Sequence, residues 1–303
     1  MAWYITSSVA ILTDALESVV NVVAGLIGVY SLHISAKPRD IDHPYGHGKV
    51  EFISAAIEGT LITVAGVFII YEAVQNLSYP HNIKGLNLGI VLVALTGFVN
   101  YLLGRYCLQT GRKNNSLALV ASGKHLITDT WSTVGIVAGL VLLHATKLWW
   151  IDSVVAILFA LLIIYTGYKI ISSSIAGIMD KADDALLEKL IDTLNNNRRV
   201  NWIDLHNLRI IKYGATLHLD CHLTVPWYFN VNEAHKEVDA LSLLVRENFG
   251  SSVELFVHSD GCIETSCSIC SKENCLVRLH PFSKSVVWQM ENILSNQKHT
   301  TAS

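Results

Sequence analysis

The chain has 303 residues and a formal net charge of −3; 51% of it is hydrophobic and only 16% charged, with a mean hydropathy of +0.40. A soluble domain carries about 25% charged residues, so this composition excludes an ordinary soluble globule. The negative balance argues against nucleic acid as a partner, because a phosphate-binding surface needs a basic excess.

Residues 1–180 hold 20 of the 47 Asp, Glu, Lys and Arg side chains, and the shorter remainder holds 27. A hydrophobic body therefore precedes a polar one, with the boundary near "GIMDKADDALLEK". A transmembrane helix needs roughly 20 mostly apolar residues, which predicts spans near 6–34, 51–77, 86–108, 116–144 and 149–174. None has the basic start and small-residue cleavage site of a signal peptide. Lys37, Arg39 and Lys49 follow the first span and Arg105, Arg112 and Lys113 the third, whereas the opposite loops hold only Lys84 and Lys147. The excess of basic residues puts the first two segments, and everything after residue 174, in the cytoplasm, and Met1 outside.

The polar part reads as helix 182–196, strands 205–212 and 215–225, helix 230–247 and strand 252–258. "ATLHLDCHLTV" alternates with the period of a strand. The αββαβ order predicts a small two-layer α+β domain. The tail from residue 262 lacks periodicity until a possible helix around "SKSVVWQMENIL".

Polar residues interrupt the apolar spans in a pattern. In "SGKHLITDTWSTVG", His125 and Asp129 are four apart and share a helical face. His125 lies about 13 Å into its span at helical rise, near mid-membrane, where a charged side chain costs about 2.5–3.5 kcal/mol on insertion scales. In "TDALESVVNVV" of the first span, Asp14, Glu17 and Asn21 form a second stripe at similar depth. Such carboxylate, amide and imidazole groups suit a small divalent cation; the competing reading is interhelical hydrogen bonding. Glu58, alone in "SAAIEGTLITVAG", either lines the same path or snorkels. After the first span, "KPRDIDHPYGHGKVE" places Asp40, His43 and His47 within eight residues, as metal ligands or as an ordinary polar turn.

"HPYGHGKVE" closely resembles the histidine-rich signature of the cation diffusion facilitator family. "HLITD" is similar to its HxxxD on the fifth helix and "TDALESVVN" to its second-helix metal motif, and the resemblance covers about residues 3–260. It implies a homodimeric exporter that exchanges zinc, or manganese, iron or cobalt, for protons. It also implies an α-helical transmembrane bundle, six helices in the family and five here, followed by a cytoplasmic α+β ferredoxin-like domain. The expected division is a transmembrane cation-efflux domain over 1–178, a cytoplasmic dimerisation domain over 179–260 and a Cys-rich tail over 261–303. A bacterial inner membrane is the expected location, with the bilayer, metal ions, protons and a second copy of the chain as partners.

Two departures from the family pattern carry consequences. Its first helix is missing: "AWYITSSVAIL" looks like the tail of that helix running into the second, so a truncated gene model, a fragment or a true five-helix variant is expected. The resemblance places the transport site on Glu17, Asn21, His125 and Asp129, where the family commonly has Asp or His at the first two. Replacing a carboxylate by Asn21 removes one negative charge and tilts the site toward harder metals; Asp14, one turn away, is a candidate to compensate. Zinc remains the leading ion. Metal binds deprotonated ligands, and His125 is the natural proton carrier, because imidazole titrates near neutral pH.

In the polar domain the resemblance places regulatory metal at His222, His235, His258 and Asp260, and matches Lys49 and Asp180 to a basic and an acidic position that could pair. Strand alternation puts His218, Asp220 and His222 on one face. "CIETSCSICSKENC" spaces Cys262, Cys267, Cys270 and Cys275 as C-x4-C-x2-C-x4-C. The reducing cytoplasm disfavours disulfides, leaving a thiolate metal site or redox sensing; Cys107 reads as packing. No H-E-x-x-H occurs, which argues against a membrane metalloenzyme such as a protease, and the family resemblance implies a transporter and not an enzyme. A non-transporting metal sensor or scaffold is the alternative to transport, but it would have no need of ligands at mid-membrane.

Overall fold

The structure is a computed structural model that describes residues 2–79, 86–113, 117–213, 216–250 and 253–301. Met1, Lys84, Ser116 and the first residues of the strands expected at 215 and 252 lie outside the described residues.

Five helices are long and apolar enough to cross a membrane: α2 (Val9–Ser35), α3 (Val50–Ser78), α4 (Leu86–Lys113), α5 (Leu117–Thr146) and α6 (Trp150–Ile178). They correspond to the predicted spans, with α4 and α6 running on past the ends expected at 108 and 174. Ahead of them, α1 (Ala2–Thr6) is separate from α2, and Ser7 at the break has a positive φ of 55°. The first span therefore begins at Val9 instead of near residue 6. Asp152 explains why the chain can break there. Its buried carboxylate accepts from Ser8 Oγ at 2.5 Å, Val9 N at 2.7 Å and Ala10 N at 3.3 Å, capping α2 from another helix. Without water, such orphan N–H groups must be satisfied by protein.

The bundle packs through small residues. A Cβ on Gly59 of α3 would stand 2.9 Å from the Gly167 carbonyl of α6, and one on Gly167 would stand 2.8 Å from the Gly59 carbonyl. Gly104 of α4 and Gly123 of α5 make the same kind of reciprocal approach. In an apolar solvent this backbone proximity is what holds helices together. Val22, Leu26, Val29 and Leu161 remain exposed, as lipid-facing side chains should be.

The polar region folds as α7 (Asp184–Asn196), β1 (Asp204–Tyr213), β2 (Thr216–Val225), α8 (Val231–Phe249) and β3 (Val253–Gly261), the αββαβ order expected. The sheet order is β1-β2-β3, with β1 antiparallel and β3 parallel to β2. α7 buries Leu187, Leu190, Ile191 and Leu194, one helical face, against Leu219, Cys221, Leu223 and Val225, one strand face. Burial pushes the Cys221 thiol up to about 12, so it packs as an inert apolar group. A 3₁₀ helix (Glu264–Ser268) and the short α9 (Met290–Ile293) follow. The tail contributes Trp288 and Ile293 to the same core, and α9 is only a fragment of the helix expected there.

The chain divides into two compact units, residues 1–31 with 52–175, and residues 32–51 with 176–303. The loop after α2 thus groups with the α+β domain. There Lys49 meets Asp180 at 3.0 Å, and Arg39 pairs with Glu254. Desolvation would lower the Lys49 ammonium, but Asp180 and Tyr213 hold it above its ordinary range.

Candidate metal centres

Within the bundle, a cavity of about 190 Å³ is lined by Glu17 and Asn21 of α2, Glu58 of α3 and His125 and Asp129 of α5, with apolar side chains of α6 closing it. Asn21 Nδ2 donates to Asp129 Oδ2 at 3.0 Å, and His125 Nε2 lies 3.6 Å from the same oxygen. Asp129 is 8% exposed, whereas the His125 side chain is 53% exposed. Asp14 faces elsewhere: its Oδ1 accepts from Thr133 Oγ1 at 3.1 Å, and it does not line the cavity. The two polar stripes of the sequence therefore meet, except for Asp14.

In the loop after α2, ligand atoms of Asp40, His43 and His47 all lie within 4.8 Å of one another. His43 Nδ1 is 3.0 Å from Asp40 Oδ1, His47 Nε2 is 3.4 Å from Asp40 Oδ2, and the two rings are 4.2 Å apart. Hydrogen bonding from His43 holds the Asp40 carboxyl below its usual range, so it stands as an anion between two imidazoles. His47 Nδ1 is buried without a hydrogen-bond partner.

On the sheet face opposite the core, strand register builds a third group. His206 of β1 pairs with His222 of β2, and His222 with His258 of β3, so three imidazoles form one row across the sheet. Ligand atoms of His206, His222 and Asp260 fall within 4.8 Å of one another, and His258 Nε2 is 3.4 Å from Asp260 Oδ1. His235 is exposed, 3.6 Å from Asp239, and shares a groove with Asp260. His206 was not among the expected ligands. Behind it sits Asp204, 3.5 Å from His206 Nδ1 and 2.6 Å from His299 Nδ1 of the tail. Burial would raise the Asp204 carboxyl, yet these imidazoles and the His299 N–H hold it well below the carboxylate range. Among the described residues His206 Nδ1 has no hydrogen-bond partner, so at 3.5 Å Asp204 supports this imidazole through its charge.

A profile of the cation efflux transmembrane domain matches residues 1–179. The chain belongs to the cation efflux family. A second profile, of the cytoplasmic domain of cation efflux proteins, matches residues 182–262. An uncharacterized transporter of Synechocystis sp. is 32% identical over 255 residues, 83% of this chain and 81% of that protein. An uncharacterized transporter of Methanocaldococcus jannaschii is 27% identical, covering 85% and 90%. The cation-efflux pump FieF of Shewanella oneidensis is 25% identical, covering 86% and 87%. As a cation efflux protein, the chain is an integral membrane transporter with a cytoplasmic C-terminal domain, and it is not an enzyme.

Among the described residues, no three of the tail sulfurs approach within 4.8 Å of one another. Cys262, Cys267, Cys270 and Cys275 instead ring one small cavity, together with Tyr228, Lys272 and Arg278.

Proposed function

We propose that this cation efflux protein exports a divalent cation, zinc foremost, from the cytoplasm in exchange for protons. The observation that carries this reading is the contact of Asn21 and His125 with one Asp129 oxygen inside a cavity that also takes Glu17. Glu17 and Asp129 together neutralise a dication, which reduces the cost of holding it at mid-membrane. His125 adds a borderline nitrogen suited to zinc, and Asn21 adds an amide oxygen once its carboxamide turns toward the ion. Because such ligands bind metal only when deprotonated, loading releases protons and protonation expels the ion.

The Asp40, His43 and His47 group takes cytoplasmic cation in this scheme. The His206, His222 and Asp260 group, with His258 beside it, serves as a regulatory site. Its nitrogen and oxygen donors suit zinc, and Asp204 supplies the supporting carboxylate. The domain over 182–262 joins two copies of the chain, in keeping with its match to the family's cytoplasmic domain; a bacterial inner membrane is the location proposed.

Flux into proteoliposomes under an imposed pH gradient tests the reading, comparing zinc, manganese, iron and cobalt. Proton-driven zinc flux that vanishes in Asp129→Ala is the expected result. Flux of no metal, with tight binding retained by the cytoplasmic groups, would instead establish a metal sensor.

A further inference from the structure

The tail cysteines stand outside the transport reading. Cys262 directly follows β3, and its N–H donates to the Val225 carbonyl at 2.8 Å, anchoring the loop to the end of β2. Cys267 and Cys270 flank the exit of the 3₁₀ helix, where Ile269 N donates to Ser266 O at 3.2 Å and Ile269 is buried. This C-x2-C turn and the two outer cysteines bring four thiols around a cavity of about 20 Å³. Room for one water-sized body requires about 10–15 Å³, so the cavity fits a single ion and is too small for a cluster of several atoms.

Two cationic residues, Arg278 and Lys272, border the cavity. Arg278 donates to the carbonyls of Cys267 at 2.8 Å, Cys270 at 2.9 Å and Lys272 at 2.7 Å, wrapping the cysteine loop around its guanidinium. Lys272 Nζ donates to the Asn201 amide oxygen at 2.8 Å and stands 5.6 Å from the centre of the Phe229 ring. Among the described residues neither cation has a carboxylate partner, although both line the cavity. Four thiolates around Zn²⁺ carry a net charge of −2, which these two cations balance.

We propose that Cys262, Cys267, Cys270 and Cys275 form a structural Zn²⁺ site that fastens the tail to the end of β3. Closure requires the sulfurs to draw inward, which free thiols do by rotation about χ1, each losing its proton as the metal binds. The spacing is not that of a common zinc finger. Its first three cysteines share the C-x4-C-x2-C spacing of plant-type iron–sulfur proteins, but the cavity volume selects one ion.

The test is a Co²⁺ titration of the full chain, reduced and metal-stripped in detergent. The thiolate-to-Co²⁺ charge-transfer band reports sulfur ligation and is silent at His and Asp sites. One equivalent per chain should develop the band, one equivalent of Zn²⁺ should bleach it, and His222→Ala should leave it unchanged. Cys267→Ser with Cys270→Ser should abolish it, while Cys267→His should retain a weaker, shifted band. The proposal is overturned by absence of the band in the wild type, by its persistence in the double variant, or by iron with inorganic sulfide in the protein as purified. Two disulfides found by mass under non-reducing conditions would overturn it equally.

Discussion

His218 shows how one side chain sets a pH response outside the candidate metal centres. It is 4% exposed, edge-on to the rings of Tyr45 and Tyr213, with Nδ1 3.2 Å from Glu254 Oε2. Burial lowers the imidazole below its ordinary range; Glu254 and Asp220 oppose that, and Arg39 reinforces it. The folded form therefore binds a proton less readily than the unfolded chain. The stability tied to neutral His218 is complete above the unfolded value of about 6.5 and is lost as pH falls from there through the folded value. The expected outcome is that His218→Gln reduces the drop in thermal midpoint of the α+β unit between neutral and mildly acidic pH, read by near-ultraviolet circular dichroism. Parallel wild-type and variant profiles would remove His218 from the account.

Helix packing makes a separate prediction. α3 and α6 approach through Gly59 and Gly167, and both helices line the cavity that holds Glu17, Asn21, His125 and Asp129. Gly167→Val sets new methyl groups against Thr63 and the Gly59 carbonyl, overpacking that costs about 1–3 kcal/mol. A lowered thermal midpoint in detergent, with zinc flux reduced, is expected; Gly25→Ala, which meets nothing within 4 Å on an exposed face of α2, should not lower the midpoint, since Ala favours a helix over Gly. The spans and the domain's strands were legible because their periods are strong: continuous apolar runs for the helices, alternation for β2. The break between α1 and α2 was not, because the cap on α2 comes from Asp152, remote in sequence. His206 was illegible for a related reason. A β-bulge between His206 and Arg209 disrupts the alternation of β1, and Asn207 there has a positive φ of 51°. Only cross-strand register reveals that His206 faces His222. The cysteine spacing was visible, but its two compensating cations, Lys272 and Arg278, become meaningful only once the loop is folded around them.

The proposed exchange of a dication for protons has the charge of the site alternate between a loaded state and a protonated state, and in that scheme Asn21 fixes how many charges take part. In this chain Asn21 donates to Asp129, so α2 and α5 are bridged by a neutral amide and a carboxylate. With Glu17, the loaded site is charge-balanced for a dication. Asn21→Asp replaces the donor by a second carboxylate 3.0 Å from Asp129 Oδ2, and two carboxylates so close cannot both remain ionised without a cation between them. The metal-free variant must therefore hold a proton that the wild type does not, and metal loading must displace it. The expected outcome is tighter zinc binding at neutral pH, about tenfold or more for a gain of about 1.4 kcal/mol. A steeper dependence of flux on pH and a lower maximal rate should accompany it, because release becomes the slow step. Zinc binding by calorimetry at two pH values, with buffers of different ionisation enthalpy, counts the protons released per ion. A count unchanged by Asn21→Asp would mean that this position does not belong to the proton-exchanging set, and that α2 contributes its charge through Glu17 alone.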